Sequence, residues 1–289
     1  MSRRAQIQRH LGTLNEISGI MGAMKNISLM ETHKLARFLA HQHRVLAGVE
    51  ATAADFLSHH PEIGYRTESS APGVVVAIGS QRGFCGDFNV SLADAVFRHR
   101  RETATQPPGV LVVGRRLAAN LGKGLRITAS FDGPSVAEEV QPTLHRLMNA
   151  LSELQAGAGR NGPFAVTVFA HREGENKVGA RSILPVPVAG SAAPHFPYPP
   201  LLNLASRTFF SELAHHYLWA QMHDVFYGSL MAENRRRLQH MEGATKRIQD
   251  KTARLQQKYN LLRQEEITEE IEVILLSNDA LQTSHRVGR

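Results

Sequence analysis

The chain has 289 residues, of which 42% are hydrophobic, and it carries a formal net charge of +7. This hydrophobic fraction is ordinary for a globular protein and excludes wholesale disorder, while the single cysteine, Cys85, excludes an internal disulfide. No apolar run approaches the ~20 residues that cross a bilayer, and no hydrophobic signal core follows the basic N-terminus, so we expect no transmembrane helix and no secretion. The net positive charge favours an acidic partner, which could be a protein, a nucleic acid or lipid headgroups.

The first predicted element is a long helix from Ile7 to about Phe56. Its apolar residues recur every three or four positions, which is typical of one face of a helix. Three glycines, Gly12, Gly19 and Gly22, each weaken the middle of this helix by about 1 kcal/mol relative to alanine. Such a helix is marginal alone, so we expect it to pack against another element.

A region of alternating short strands and helices follows a polar linker at residues 66 to 72. Short β-branched runs bounded by glycine are typical of buried strands, and a 3.6-residue apolar period is typical of helices. The predicted strands are Gly73–Gly79, Val110–Gly114, Leu125–Phe131, Phe164–Ala170 and Val178–Val186, the last two spaced for a hairpin across Arg172–Lys177. The predicted helices are Phe88–Glu102, Arg115–Asn120 and Val136–Leu154. This alternation predicts a Rossmann-like α/β domain at residues 72–200. A proline-rich connector at the end of this range leads to the C-terminal helix.

The stretch from Ser229 to Leu281 organises the chain, and with the residues upstream to Leu204 it predicts a helix of about 80 residues. It has no proline, and its one glycine is Gly243. Its apolar residues alternate at three and four positions, which is typical of the narrow seam of a coiled coil. The seam comprises Leu238, Met241, Ala244, Ile248, Leu255, Tyr259, Leu262, Ile267, Ile271, Ile274 and Leu281. A compact domain cannot enclose such a helix, so we expect it to project and to need a partner along its seam.

Charge is divided into two blocks along this helix. From Arg235 to Arg263, a stretch that we call the basic collar, nine Lys and Arg residues are opposed only by Glu242 and Asp250. From Glu265 to Glu272 all five charged residues are acidic. A solvated helix surface would explain any one of these charges. Their separation by sign predicts instead a positively charged section of the helix, the basic collar, followed by an acidic section nearer the C-terminus.

Both long helices leave the same α/β domain, one from each of its ends. Their seams can face each other, so we expect an antiparallel coiled coil with a left-handed supercoil and both chain termini at its far end. The C-terminal helix is longer by roughly 25 residues and would overhang by about 40 Å at 1.5 Å per residue. The predicted domains are therefore a coiled-coil shaft formed by residues 1–60 and 203–289, and the α/β domain of residues 72–200.

The glycine-rich segment Gly79–Gly86 follows a strand, as phosphate-binding loops do. Its spacing matches neither G-x-G-x-x-G nor the P-loop pattern, so a set of tight structural turns is the favoured interpretation. A nucleophilic role for Cys85 would need a positioned base, and a small buried thiol is the favoured interpretation there.

The fifteen histidines show no metal-binding spacing. The sequence has no H-E-x-x-H and no cysteine pair, and His41 and His43, two apart on a helix, point to different sides. The cluster Arg235–Arg237 could contact nucleic acid, but the few aromatic residues are not interleaved with it, so no stacking platform is visible. We therefore expect no catalytic residue, no cofactor and no metal.

Two long terminal helices around an α/β insert, together with four short motifs, resemble the γ subunit of F-type ATP synthase. Ala23–Lys25 is similar to that family's A-M-K segment, and Gly79–Asn89 is similar to its S-D-R-G-L-C-G-x-F-N motif. Val113–Arg116 resembles V-G-(K/R)-(K/R). Tyr259–Ile271 resembles Y-N-x-x-R-Q-x-x-I-T-x-E-(L/I) and is the most specific of the four. The motifs occur in the family's order along the chain.

The sequence also departs from the family pattern. Ser28–Thr32 stands where an alanine-rich segment is usual, and Ala232–Arg237 only loosely matches S-E-x-x-x-R. Gln81 replaces an acidic residue and Gly22 replaces a lysine. These departures indicate a divergent branch, such as a second ATPase carried beside the housekeeping one.

The resemblance implies a non-catalytic rotor shaft. The coiled coil would lie inside a ring of three α and three β subunits, and the α/β domain would lie outside that ring, on the membrane c-ring and beside the ε subunit. Ion flow would turn the c-ring and the shaft, and the shaft would drive the catalytic sites on α and β. The protein would be peripheral on the cytoplasmic face of a bacterial inner membrane, would reach the membrane only through the c-ring and would bind no nucleic acid.

The resemblance also implies which side chains contact the ring of α and β subunits. At mid-shaft, Met24 and Lys25 would face acidic loops of β, with Arg237 nearby on the facing helix. A second contact higher up would comprise Arg263, Gln264 and Thr268. The competing interpretations are that Met24 is only a seam residue and that Arg263 is a solvated charge.

Two other classes of function remain open on the residues alone. A Rossmann-like enzyme would bind a nucleotide in the α/β domain, and titration of the isolated chain with ATP or NAD would test this. A coiled-coil scaffold or nucleic-acid-binding protein would show steep, salt-dependent binding to DNA.

Overall fold

The computed structural model describes residues 3–63, 73–102, 109–157, 165–172, 178–184 and 198–287. The described helices are α1 (Arg3–His59), α2 (Phe88–Glu102), α3 (Arg115–Leu121), α4 (Val140–Gly157) and α5 (Ser206–Val287). The described strands are β1 (Gly73–Ile78), β2 (Gly109–Val113), β3 (Ala129–Phe131), β4 (Ala165–His171) and β5 (Val178–Leu184). Within these residues, no helix combines the length and the apolar character needed to span a bilayer.

The strands form one five-stranded sheet in the order β3-β2-β1-β4-β5. The first four are parallel, and β5 runs antiparallel to β4 at the edge. In the middle strand, Val76 lies between Leu111 of β2 and Val168 of β4. Since both faces of this strand are covered, its sequence is continuously apolar rather than alternating.

The sheet has a layer of helices on each face. Val74, Val76 and Ile78 face one layer, formed by α4 and by parts of α1 and α5 that include Leu39 and Phe226. The alternate residues of β1 face the opposite layer of α2 and α3. The period of two along β1 therefore directs successive side chains into two separate cores.

The chain divides into two compact units, which we call the sheet unit (residues 27–240) and the helical unit (residues 1–26 and 241–289). In the helical unit, Arg4 Nη1 lies 2.6 Å from Glu266 Oε2 and Lys25 Nζ lies 2.8 Å from Glu242 Oε1. Residue numbers rise along α1 as they fall along α5, so the two segments run antiparallel.

The α1 and α5 segments of the sheet unit are antiparallel as well. Gln42 donates from its Nε2 to the carbonyl oxygen of Ala220 at 2.9 Å. The rings of Phe38 and Tyr227 stack with their centroids 5.5 Å apart, and Phe56 stacks on Phe210 at 6.0 Å. Aromatic and aliphatic side chains thus line the seam within this unit.

The predicted fold class is confirmed: two long antiparallel terminal helices enclose a Rossmann-like α/β insert in sequence. Several predicted boundaries are shifted, and α1 extends from Arg3 to His59 rather than from Ile7 to about Phe56. Residues 125–128 precede β3 rather than forming part of it, because the Leu125 amide bonds back to Leu121. A 3-10 turn at Ala137–Glu139 precedes α4, and α5 begins at Ser206, two residues after the approximate start predicted at Leu204.

Several predictions concern segments outside the described residues. These are the linker at 66–72, most of the turn between β4 and β5, and most of the proline-rich connector. The five strands of the described residues fall between residues 73 and 184, inside the range predicted for the α/β domain. The division into a shaft of residues 1–60 and 203–289 and an α/β domain of residues 72–200 stays a prediction.

Candidate partner-binding surfaces

The last turns of α5 whose side chains the structure describes expose a group of large apolar residues. We call residues 267–276 the apolar end of α5. Six of its side chains are between 44% and 69% exposed: Ile267, Ile271, Val273, Ile274, Leu275 and Leu276. Successive residues of a helix are about 100° apart, so the five apolar residues among 271–276 point to all sides of the helix. A helix that is apolar all round is normally enclosed by other elements.

The apolar end lies beyond the segment of α5 that pairs with α1. Tyr259 and Leu262 of the predicted seam are half-buried, whereas Ile267, Ile271 and Ile274 are exposed. Arg4 is the second described residue of α1, and it already pairs with Glu266. The apolar end therefore continues past the part of α1 that the structure describes.

Two of the predicted contact residues share a face of α5. Gln264 and Thr268 are one turn apart, and the Thr268 hydroxyl donates to the Gln264 carbonyl oxygen at 2.9 Å. Together with exposed apolar neighbours they form a stripe at three- and four-residue spacing on the face opposite Tyr259 and Leu262, comprising Leu261, Gln264, Thr268, Ile271 and Leu275. Arg263 is exposed as well, on the same side as Ile267. The structure thus presents all three predicted residues outward, next to the apolar end.

Lys25 and Met24 lie on α1 within the helical unit. The Lys25 ammonium pairs with Glu242, and the side chains are 39% and 53% exposed. Met24 is half-buried. An exposed ion pair contributes only about 0–1 kcal/mol, so the Lys25 ammonium can exchange Glu242 for another carboxylate at little cost.

Arg237 belongs to the sheet unit and is buried, with 5% of its surface exposed. Its guanidinium pairs with Glu233, and it also donates to Asn234 Oδ1 at 2.9 Å, to the Gly83 carbonyl oxygen at 3.4 Å and to Cys85 Sγ at 3.4 Å. This side chain ties α5 to the loop after β1. Its part in a partner contact stays a prediction. Its spacing of four residues from Met241 places it on the side of the seam, but the sequence did not show that the loop after β1 encloses it.

Burial shifts the titration of the groups around Arg237. It raises the pKa of Glu233 to about 7, although the Arg237 charge opposes the shift. Burial and the nearby Glu233 carboxylate together raise the pKa of Cys85 to about 11. The expectation that Cys85 is a small buried thiol is confirmed, because the residue is buried and its thiol stays protonated near neutral pH.

Polar groups of the glycine-rich loop at residues 79–86 form hydrogen bonds with other residues of the same chain. Ser80 donates its amide to Asn89 Oδ1 at 3.0 Å, and Gln81 Oε1 accepts from the amides of Arg115 at 3.1 Å and Gly133 at 2.9 Å. Gly114 has a φ of +102°, and a Cβ there would lie 2.6 Å from the Gly79 carbonyl oxygen. The loop is therefore built for close backbone packing, which agrees with the interpretation as structural turns.

The basic collar is mostly available to solvent within the helical unit. Six of its basic residues are exposed there: Lys246, Arg247, Lys251, Arg254, Lys258 and Arg263. In the sheet unit, Arg236 pairs with Asp87 at 3.3 Å and Arg237 is buried. The exposed positive charge of the collar is thus concentrated between residues 246 and 263.

A family model described as ATP synthase matches residues 3–281 of the chain. The chain belongs to the ATP synthase γ-chain family. It is 24% identical over 301 residues to the ATP synthase γ chain of Bdellovibrio bacteriovorus, which covers 96% of this chain and 97% of the relative. It is 25% identical over 297 residues to that of an Anaeromyxobacter species, which covers 96% and 98%.

Chains in solved structures of mitochondrial ATP synthases share the fold. The rotor chain of Euglena gracilis mitochondrial ATP synthase matches with a TM-score of 0.61 at 15% identity, over 91% of this chain and 98% of that chain. A central-stalk chain of the Tetrahymena thermophila mitochondrial enzyme matches with a TM-score of 0.55 at 17% identity, over 78% and 99%. The predicted resemblance is confirmed, and as a γ chain the protein is a non-catalytic subunit of the synthase.

The apolar end was only partly visible in the sequence. The seam pattern includes Ile267, Ile271 and Ile274 but not Val273, Leu275 or Leu276. The run from residue 271 to residue 276 holds five apolar residues in six positions, and this density was the signal available in the sequence. It is easily missed because the isoleucines continue the same three- and four-residue spacing.

Proposed function

We propose that the chain is the central-stalk rotor of an F-type ATP synthase and transmits torque between a membrane c-ring and a catalytic ring of α and β subunits. The observation that carries this proposal is the apolar end of α5, where five large apolar side chains among residues 271–276 are exposed on every side of the helix and Glu272 is the one charged residue. Such a helix end fits a sleeve formed by several surrounding subunits. Apolar contact is non-directional, so a helix can turn in an apolar sleeve without breaking an ordered set of hydrogen bonds.

Torque also requires a shaft that looks different from different sides. In the helical unit α1 and α5 lie side by side as far as Glu266, and only α5 continues beyond it in the described part of the chain. A pair of helices is not circularly symmetric, so three β subunits around it would each meet a different surface. Each catalytic site would then have a different affinity for nucleotide, and rotation would pass these affinities from one site to the next.

The exposed basic collar supplies contacts that can form and break during rotation. We propose that Met24, Lys25, Arg263, Gln264 and Thr268 contact the ring, with the cations facing acidic loops of β. Each exposed ion pair contributes only about 0–1 kcal/mol, so no single pair would hold the rotor in one orientation. Arg237, which is enclosed in the sheet unit, would support such a contact by fixing the loop at residues 79–86.

For the other end of the rotor we propose contacts of the α/β domain with the c-ring and an ε subunit. The solved relatives come from assemblies described as a central stalk with c-ring and as a rotor, which supports this placement. The curated relatives are bacterial, which supports a peripheral location on the cytoplasmic face of an inner membrane. The complex would couple the transport of ions across that membrane to ATP synthesis or hydrolysis.

Co-expression with the α and β subunits of the same organism, followed by cryo-electron microscopy, tests the proposal. We expect one copy of the chain in the channel of the ring, with the apolar end enclosed. Replacement of Ile271, Ile274 and Leu275 by serine should weaken this assembly. A matched variant with serine at exposed Val45, Tyr198 and Leu201 should assemble normally. An empty channel with the wild-type chain would refute the proposal.

A further inference from the structure

The chain's single tryptophan, Trp219, lies where α5 packs beside α4 inside the sheet unit, and the proposed contacts with the α and β subunits do not include it. Its ring centroid is 4.8 Å from that of His145 of α4. On α5, the rings of His215 and His223 lie one turn to either side of it, at 6.1 Å and 6.0 Å. We call these three histidines the histidine cluster. The contact of His145 with Trp219 joins α4 to the row of rings on α5.

A hydrogen bond fixes the protonation state of His215. The Trp219 indole donates from Nε1 to His215 Nε2 at 2.9 Å. Because an indole nitrogen can only donate, Nε2 is the bare nitrogen and the imidazole ring is neutral. Protonation of His215 would put an N–H opposite the indole N–H and abolish this bond. The side chain is exposed, so protons reach it directly from solvent.

The closed contact also favours a neutral His223. Its half-buried ring lies between those of Trp219 and Tyr227, and the Tyr227 centroid is 5.9 Å away. Burial lowers the pKa of His223, and the nearby His145 lowers it further. An open contact would hydrate this ring and bind a proton more readily than the closed one. A fall in pH therefore favours opening.

No carboxylate balances positive charge on the histidine cluster within the described residues. Asp224 of α5 pairs with Arg181 of β5 at 3.1 Å and lies 3.0 Å from His43 of α1. Glu138, just before α4, pairs with Lys34 of α1. Both of these carboxylates are held by other cations, so protonated rings would repel one another across the two helices.

We propose that this contact is an acid-sensitive device: in mildly acid solution, protonation of the histidine cluster moves α4 away from Trp219 and exposes the indole ring. Three effects act in the same direction. Charged His145 and His223 repel each other, His215 loses its hydrogen bond, and the charged His223 ring gains hydration. Since α4 covers one face of the sheet through residues such as Leu144, opening would loosen that cover. The device does not depend on the rotor role.

The test uses the full chain and the fluorescence of its only tryptophan. Acrylamide is a neutral quencher, so its bimolecular quenching constant, obtained with the fluorescence lifetime, reports solvent access to Trp219 rather than the charge of its neighbours. We expect this constant to rise about threefold or more between pH 8 and pH 5. Protection factors for amide hydrogen exchange in α4 should fall about tenfold, while the far-UV circular dichroism stays unchanged. These local measurements are chosen because Glu233 adds its own pH dependence to the free energy of unfolding.

Matched variants assign the effect to the histidine cluster. Glutamine keeps a polar side chain but takes up no proton in this range. The triple variant His145→Gln, His215→Gln, His223→Gln should keep its pH 8 quenching constant when the pH falls to 5. The control carries the same replacement at three exposed histidines outside the cluster, and it should open as the wild type does. These are His10, His33 and His240.

If the triple variant does not fold, His145→Gln alone decides, because His145 is exposed and supplies the charge that faces His223. Its opening midpoint should fall by about half a pH unit or more. A quenching constant that stays the same in the wild type between pH 8 and pH 5, or a rise that the triple variant shares, would overturn the proposal. An unchanged midpoint in His145→Gln, or a loss of the circular dichroism signal together with the rise, would overturn it as well.

Discussion

Glu233 and Arg237 lie one turn apart on α5 and pair inside the sheet unit, where they are 3% and 5% exposed. The pair also reaches the loop after β1, since Arg237 donates to Gly83 and Cys85. A buried ion pair contributes little net stability by itself, but removal of one partner leaves a buried charge and typically costs about 3–5 kcal/mol. The pair therefore fixes the position of the loop on α5.

The pair predicts a specific pH dependence of stability. Burial raises the pKa of Glu233 to about 7 from its ordinary value near 4.5, so between these values the folded state binds more protons than the unfolded state. The free energy of unfolding should therefore fall as pH rises through this window, by about 1.4 kcal/mol for each pH unit. Glu233→Gln should remove this part of the slope.

Urea unfolding at pH 5 and pH 7.5 measures the effect. Glu242→Gln is the matched control, because Glu242 is an exposed glutamate on the same helix and its replacement should leave the slope in place. An equal pH dependence in wild type and Glu233→Gln would show that Glu233 titrates normally in the folded state.

The buried thiol should react slowly. Because the pKa of Cys85 is raised to about 11, only about one molecule in a thousand carries the thiolate at pH 8, against about a quarter for an ordinary thiol with a pKa near 8.5. Alkylation by iodoacetamide should be at least 100-fold slower than that of a cysteine placed at exposed Val90 in a Cys85→Ala background. Similar rates at the two positions would show that the thiol is accessible.

Replacement by alanine should stabilise the protein at two glycines of α1 and destabilise it at Gly114, which follows β2. A Cβ at Gly12 or Gly19 would meet no atom within 4 Å, so each replacement should stabilise the helix by up to about 1 kcal/mol. Gly114→Ala should destabilise the protein by about 2 kcal/mol or more, because φ is +102° and the new Cβ would collide with Gly79. Thermal unfolding checks all three, and a stabilising Gly114→Ala would rule out the close packing of this turn on Gly79.

The sequence predicted the regular elements well where local pattern determines them. The β-branched run from Val74 to Ile78 indicated a buried strand because both faces of β1 are covered, and α2 spans the predicted Phe88–Glu102. By contrast, Arg235–Arg237 forms a single basic cluster in the sequence. Arg237 lies four residues before Met241 of the predicted seam, so the helical phase places both on one face, but the loop that encloses Arg237 is visible only in the tertiary structure.

The exposure of the apolar end of α5 could likewise not be predicted from the sequence alone. Ile267, Ile271 and Ile274 continue the seam spacing, and the sequence pattern does not show how far along α5 the partner helix reaches. The pairing of Arg4 with Glu266 supplies that information. The common face of Gln264 and Thr268 could be predicted, because residues four apart on a helix always lie on one side.

Charge reversal at the proposed contacts should uncouple the complex. Lys25→Glu with Arg263→Glu places two carboxylates where the proposal has cations facing acidic loops, so ATP-driven ion pumping should fall severalfold while the chain stays folded. The loss of the exposed Lys25–Glu242 pair should cost at most about 1 kcal/mol. Thermal unfolding of the purified double variant checks that cost.

Arg98→Glu with Arg126→Glu is the control for an equal charge change, because both arginines are exposed and neither is among the proposed contacts with the α and β subunits. Pumping and ATP hydrolysis are measured on the same membranes. Unchanged pumping in the Lys25 and Arg263 double variant would remove these two residues from the contact.

Rotation of this chain inside a catalytic ring can be observed in single complexes. The ring is immobilised, Arg98 is replaced by cysteine in a Cys85→Ala background, and a bead is attached at that position. We expect the bead to rotate in one direction when ATP is added and to stop when ATP is withdrawn. A bead that stays still on a firmly bound chain while the ring hydrolyses ATP would refute the rotor role.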